Sequence, residues 1–203
     1  MGNEVVSLIA TSRNLGENYA KLVELLGAPP GNGDGKYKET AGFRDRVILV
    51  HRDKTGKVIA TRDSGWQEHE CLTNTGFGEV SGLLVPDIGG TGFDYIGIGT
   101  GAVAADPTDT DLGGEEARKA GTGTRETEDV ANDVAQLTAT FAAADGLAGV
   151  DAITEVGMLN GDAPGVHPAV VMIMRQVFAV LNLDWDNSDT LAVTIRIQSK
   201  QGA

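Results

Sequence analysis

The feature that most limits what this chain can fold into is a two-residue alternation of apolar and polar side chains. It recurs in Val134–Ala142, Ala152–Leu159, Val170–Val180 and Thr190–Gln198. In the last of these, Leu191, Val193, Ile195 and Ile197 fall on one face, while Thr194 and Arg196 fall on the other. Successive side chains point to opposite faces only in an extended strand, so this period implies strands with one buried face. Turn-forming clusters separate the segments: Asp145-Gly146, Asn160-Gly161-Asp162 and Asp184-Trp185-Asp186-Asn187. Further upstream, Arg46–Arg52 and Lys57–Thr61 flank Asp53-Lys54-Thr55-Gly56, a hairpin turn by composition. Phe93–Thr100 alternates as well. Short strands at this spacing predict a mainly β protein. The expected architecture is an antiparallel β-sandwich, jelly-roll-like, rather than an α/β fold with helical crossovers.

Two segments break the pattern. Near the start, Leu15, Tyr19, Leu22, Val23 and Leu26 recur at steps of three and four behind Ser12, a good N-cap. Gly27 and Pro29-Pro30 end that run, and residues 28–36 read as a linker. The division is therefore an N-terminal helical docking segment and linker over 1–40 and a β domain over 41–203. The helix can pack on its own domain or on a neighbouring subunit. Phe77, Val80, Leu83 and Leu84 suit a short helix, weakened by Gly76, Gly78 and Gly82. Residues 101–132 are polar and read as a long acidic loop, with room for one helical turn around Glu115-Glu116-Ala117-Arg118.

Charge narrows the function classes. The chain holds 29 acidic and 16 basic side chains, a net charge of −13, which repels nucleic acid phosphates. Asp outnumbers Glu and Lys is scarce. That fits adaptation to high salt, where carboxylates stay hydrated and screened, and also fits an ordinary acidic protein. Aromatics are 5% of residues, so aliphatic side chains must build the core. No basic region followed by an apolar run opens the chain, and no apolar run reaches membrane-spanning length. These features predict a soluble protein made in the cytoplasm, with no membrane and no nucleic acid as partner.

Candidate sites weigh toward architecture. Gly97-x-Gly99-x-Gly101 lacks the third glycine of a dinucleotide fingerprint, since Ala102 stands where it is needed and Asp106-Pro107 interrupts any helix. Glu68, His69, Glu70 and Cys71 offer ligand atoms, but neighbours on a strand point to opposite faces. His51 and His167 are far away in sequence. Cys71 is the single cysteine, and as a nucleophile it has only His69 nearby as a base. Asp106, Asp109 and Asp111 are the only residues that suggest cation contact. They lack the glycine and distal glutamate of a calcium loop, and a solvated acidic loop is the default reading. Glu115-Glu116 reads as surface. No catalytic residue and no cofactor is expected. Gly157, like the glycines of Gly97–Gly101, leaves a flat spot where another backbone or ring can approach, as in close sheet packing or a twisted edge. Trp185 is expected to cap one end of the sandwich or to meet a neighbour.

Four ordered segments resemble a known family. They are the hairpin followed by Leu72-Thr73-Asn74-Thr75-Gly76; Tyr95-Ile96-Gly97-Ile98-Gly99-Thr100-Gly101; Ile153-Thr154-Glu155-Val156-Gly157-Met158-Leu159-Asn160; and Met174-Arg175-Gln176-Val177-Phe178 with Ser188-Asp189-Thr190-Leu191. Across roughly residues 45–200 the chain resembles structural proteins of tailed phages and tailed archaeal viruses, variously described as head-decoration, turret, head-fibre or minor tail proteins. The resemblance implies a virion location and a non-enzymatic role on the capsid as a vertex turret or decoration subunit. The implied partners are copies of the chain in a five-fold or three-fold ring, and the major capsid protein. A tail-tip, baseplate or fibre-adaptor subunit is the alternative, and a glycan-binding module for host surfaces a second. With a high-salt surface, the resemblance points to a virus of a halophilic archaeon.

Overall fold

The computed structural model describes residues 42–68, 72–85, 89–162 and 170–200. The N-terminal docking segment, its linker, His69, Glu70, Cys71 and His167 lie outside the described residues. In chain order the elements are β1 (Gly42–Arg52), β2 (Val58–Asp63), β3 (Gln67–Glu68), α1 (Asn74–Leu84), β4 (Tyr95–Gly99), β5 (Glu115–Ala120), β6 (Thr122–Glu126), β7 (Val134–Phe141), β8 (Val150–Leu159), β9 (Met172–Asp184) and β10 (Thr190–Lys200). The protein is mainly β, and every strand pairing is antiparallel.

The strands form two sheets. Sheet A runs β2-β1-β10-β7-β6, with β3 also on β1, and sheet B runs β5-β4-β8-β9. The β1–β2 hairpin turns where its sequence predicts. The Asp53 carboxylate accepts hydrogen bonds from Thr55 N (2.8 Å) and Lys57 N (3.1 Å), and Gly56 takes a φ of +81°. Such a left-handed turn position suits a residue without a Cβ. In the middle of sheet A, β10 pairs with β1 from Gly42↔Lys200 to Arg52↔Thr190, and with β7 on its other side. Its inward residues Leu191, Val193, Ile195 and Ile197 are buried, as their alternation requires. Val47, Leu49, Leu137 and Phe141 join them from sheet A, and Ile96, Ile98, Val156 and Met174 from sheet B, in one core cluster. Each such side chain contributes about 1.5–3 kcal/mol on burial.

Helix α1 begins one turn earlier than the apolar spacing suggests. Thr73 caps it, accepting a hydrogen bond from Gly76 N at 3.0 Å, and donates its own hydroxyl to the Met172 carbonyl. Among the described residues no helix is long and apolar enough to cross a membrane.

Three expectations are corrected. Residues 101–132 are not one long loop, and Glu115–Arg118 is not a helical turn: β5 and β6 lie there. Both are edge strands, so their outward faces stay polar and hide the alternation. Next, β4 is no edge, because it lies between β5 and β8. Finally, of the two places expected for Trp185, contact with a neighbour is the one overturned: the side chain is only 1% exposed and packs into the shared core. Its indole N–H donates to Asp151 at 2.6 Å.

Candidate functional site

The most elaborate polar site lies on the face of sheet B away from the shared core. Register brings Gly97 opposite Gly157, and Gly99 opposite Glu155, between β4 and β8; on the other side of β8, Gly157 faces Arg175 of β9. Over this patch folds the Thr100–Gly114 loop that joins β4 to β5. The flat glycine surface expected from the sequence is present, and what approaches it is the chain's own loop. Leu112 lies over Gly97 and Gly157: a Cβ at those positions would come within 2.8 and 3.0 Å of its methyl groups. Leu112, Leu159, Val170 and Met172 form a second, smaller apolar cluster there.

Glu155 holds the loop down. Its Oε1 accepts N–H from Gly101 (2.9 Å) and Gly114 (2.7 Å). Its Oε2 accepts N–H from Gly113 (3.0 Å) and Nε–H from Arg175 (2.7 Å). Arg175 then donates to Asp109 (2.8 Å) and to the Val103 carbonyl (3.1 Å). The Glu155 side chain is 0% exposed and that of Arg175 3%. Burial on its own raises a carboxyl, but the N–H groups of Gly113, Gly114 and Gly101 and the Arg175 guanidinium outweigh it. They hold Glu155 below the usual carboxylate range. Burial likewise lowers a guanidinium, and here Asp109 and Glu155 outweigh it and leave Arg175 raised. A Cβ on Gly101 would sit 2.4 Å from Glu155 Oε1, so the backbone reaches the carboxylate only because that residue is glycine.

The sequence-predicted residues take separate places around this site. Asp106 accepts N–H and hydroxyl bonds from Thr108 at 2.8 and 2.6 Å, which lowers its pKa. Asp109 binds Arg175 and also accepts Asp106 N at 3.0 Å. Asp111 accepts the Thr110 hydroxyl at 3.1 Å. The three carboxylates therefore brace the loop individually. Among the described residues no three His, Cys, Asp or Glu side chains gather as a metal site would require. Glu115 and Glu116 diverge. The first holds Arg118 through two bonds of 2.7 Å, and the second accepts the Thr100 hydroxyl at 3.1 Å. His51 lies elsewhere, buried against Asp189 with Nε2 2.7 Å from its carboxylate. Glu68 pairs with Lys200 at 2.8 Å.

Glu155 and Arg175 are the residues that sequence reasoning missed as a site, although both stand in the segments that carry the family resemblance. The available signal was a carboxylate and a guanidinium in otherwise apolar alternating strands. In chemical terms the network is a fastener. With four donors on its two oxygens, Glu155 has no well-placed lone pair left to take a proton from a substrate. No protein-family model, curated protein or solved structure matches this chain.

Proposed function

We propose that this chain is a structural subunit of a virus particle that assembles on the capsid as a vertex turret or decoration protein. The fold supports this reading in coarse form: antiparallel sheets around a shared core give a rigid block. We take that block as a β-sandwich of jelly-roll-like type, whose chain passes repeatedly from one sheet to the other. The observation that carries the proposal is the use made of the buried charge. Glu155, Arg175 and Asp109 fix the Thr100–Gly114 loop, and that loop presents the exposed apolar run Ala102-Val103-Ala104 to solvent. A rigid apolar projection on an acidic body suits contact with another protein, because little conformational freedom remains to be lost on binding. No enzymatic role is part of this reading. Its partners are other copies of the chain and other virion proteins, and the net charge of −13 would keep finished particles apart.

A low-resolution map of the purified particle, with the subunit labelled, tests the proposal directly. Density at capsid vertices or on the shell supports it. Density at the tail tip would favour the baseplate or fibre-adaptor alternative. A protein that stays monomeric across salt concentrations and turns over a cell-envelope substrate would overturn it.

A further inference from the structure

We propose that a small cavity between β1, β2 and β9 is a carbohydrate site, which takes in one hydroxyl-bearing end of a neutral sugar. The inference goes beyond the assembly reading and does not depend on it. The cavity has a volume of about 110 Å³. Its floor is apolar. Val47 and Leu49 of β1 are core residues, 2 and 1% exposed, and Phe178 of β9 packs against the same core. Arg62 and Asp63 of β2, Ser64 behind them and Gln176 of β9 complete the lining. Ser64 is satisfied, since its hydroxyl accepts Val47 N and donates to the Gly65 carbonyl. The other three polar side chains each have capacity to spare. Gln176 Oε1 is buried and has no hydrogen-bond partner among the described residues. Buried acceptors are nearly always paired, so this one calls for a donor. Arg62 makes no ion pair among the described residues. Its guanidinium reaches the carbonyls of Ala179, Thr61 and Val180 at 3.4, 3.2 and 3.3 Å, long for such bonds. Asp63 is ionised, its carboxyl held at about 2 by the Arg46 side chain and then by the Gly65 N–H. Its Oδ2 accepts Arg46 Nη2 at 2.6 Å, which leaves a second lone pair on that oxygen.

These groups select the ligand by elimination. An anion would pair with Arg62 but face the ionised Asp63. A cation would pair with Asp63 but face Arg62. A hydrocarbon would cover the floor and leave Gln176 Oε1 unmet. A hydroxyl both donates and accepts, so two hydroxyls on neighbouring carbons can give to Gln176 or Asp63 while taking from Arg62. Water has the same hydrogen bonds to offer, but it leaves Val47, Leu49 and Phe178 wet. The C–H groups of a sugar cover them, and that burial favours the sugar. Size limits what enters. A cavity of about 150 Å³ takes in benzene, so this one admits roughly four heavy atoms, the end of a sugar rather than its whole ring. The ligand therefore needs a free end, as the terminal sugar of a glycan has.

The test is a nuclear magnetic resonance titration of the full chain with the methyl glycosides of glucose, galactose and mannose. It follows the backbone amides of Arg62, Asp63, Ser64 and Phe178 and the side-chain amide of Gln176. At least one glycoside should shift these signals saturably and leave the rest of the spectrum in place. Gln176→Leu removes the unpaired acceptor and keeps the apolar stem, and Arg62→Met removes the donor and keeps its stem. Each should weaken binding about tenfold, the effect of one lost hydrogen bond. Gln176→Leu should also melt no lower than wild type, because no bond inside the chain is lost with Oε1. The inference is overturned if no glycoside moves these signals, or if both variants bind as wild type does. It is equally overturned if sodium sulfate moves the same signals and the glycosides do not, or if Gln176→Leu melts well below wild type. None of these results bears on whether the chain assembles on a capsid, so the two readings fail separately.

Discussion

Replacing Glu155 by glutamine keeps the shape of the side chain and removes half of its accepting capacity. The geometry sets the cost. One carboxylate oxygen serves Gly101 and Gly114, and the other serves Gly113 and Arg175. The single oxygen of a glutamine can keep only one of these pairs. Its NH2 group must then face two donors, which lose their acceptor and meet another donor. Each buried donor left without a partner costs about 1–3 kcal/mol. Breaking a buried ion pair by removing one member costs about 3–5 kcal/mol. Glu155→Gln should therefore destabilise by about 3–5 kcal/mol, a large share of a typical domain's stability. At about 2–4 °C per kcal/mol for a chain of this size, the melting temperature should fall by roughly 6–20 °C. Denaturant unfolding gives the energy, and amide exchange at Gly101, Gly113 and Gly114 locates it. A loss below about 1 kcal/mol, with those three amides as protected as before, would refute the latch.

The remaining expectations concern the same latch and its supports. Glu155 lies below its ordinary pKa in the folded protein, so its contribution is complete above the unfolded value of about 4.3 and is lost as pH falls through the folded value. Protection of the Thr100–Gly114 amides, taken relative to their intrinsic exchange at each pH, should thus fall in acid in wild type, and Glu155→Gln should lack that pH dependence. Gly101→Ala pushes a Cβ into Glu155 Oε1 and should cost about 1–3 kcal/mol in chemical denaturation. Thr73→Ala removes the cap of α1 and should cost about 1 kcal/mol, read as a lower thermal midpoint. Trp185→Phe leaves Asp151 without its indole donor and a gap in the core; a loss of about 2 kcal/mol and an altered near-ultraviolet dichroism should follow.

What was legible in the sequence was what local chemistry decides. The β1–β2 hairpin could be read because Asp53 and Gly56 build the turn by themselves. Strand β10 could be read because it is central, with one face buried along its length. By contrast, Glu115–Ala120 is composed largely of good helix formers and becomes β5 only through tertiary context. There Ala117 packs on the core, and Arg118 buries its guanidinium between Glu115 and the Gly161 carbonyl. The Glu155–Arg175 pair was out of reach for a different reason. The β8–β9 ladder shifts register between Ile153 and Glu155 and again between Met158 and Leu159. Each shift breaks the count by twos from which facing residues are inferred.

The glycines show how these two kinds of legibility meet. Gly97, Gly99 and Gly157 mark a surface that something must approach closely, and composition alone says that much. It does not say what approaches, because any small, flat face would do. Leu112 over Gly97 and Gly157 supplies burial, which is non-directional and would tolerate a loop shifted by a residue. Glu155 removes that freedom, since its oxygens take N–H groups from three particular residues and from one guanidinium. A loop shifted by one residue would take Gly101 away from the carboxylate, and any other residue there would drive a Cβ into Oε1. Apolar packing therefore accounts for the loop lying on sheet B, and the buried charges account for its lying there in one register, with Val103 always outward.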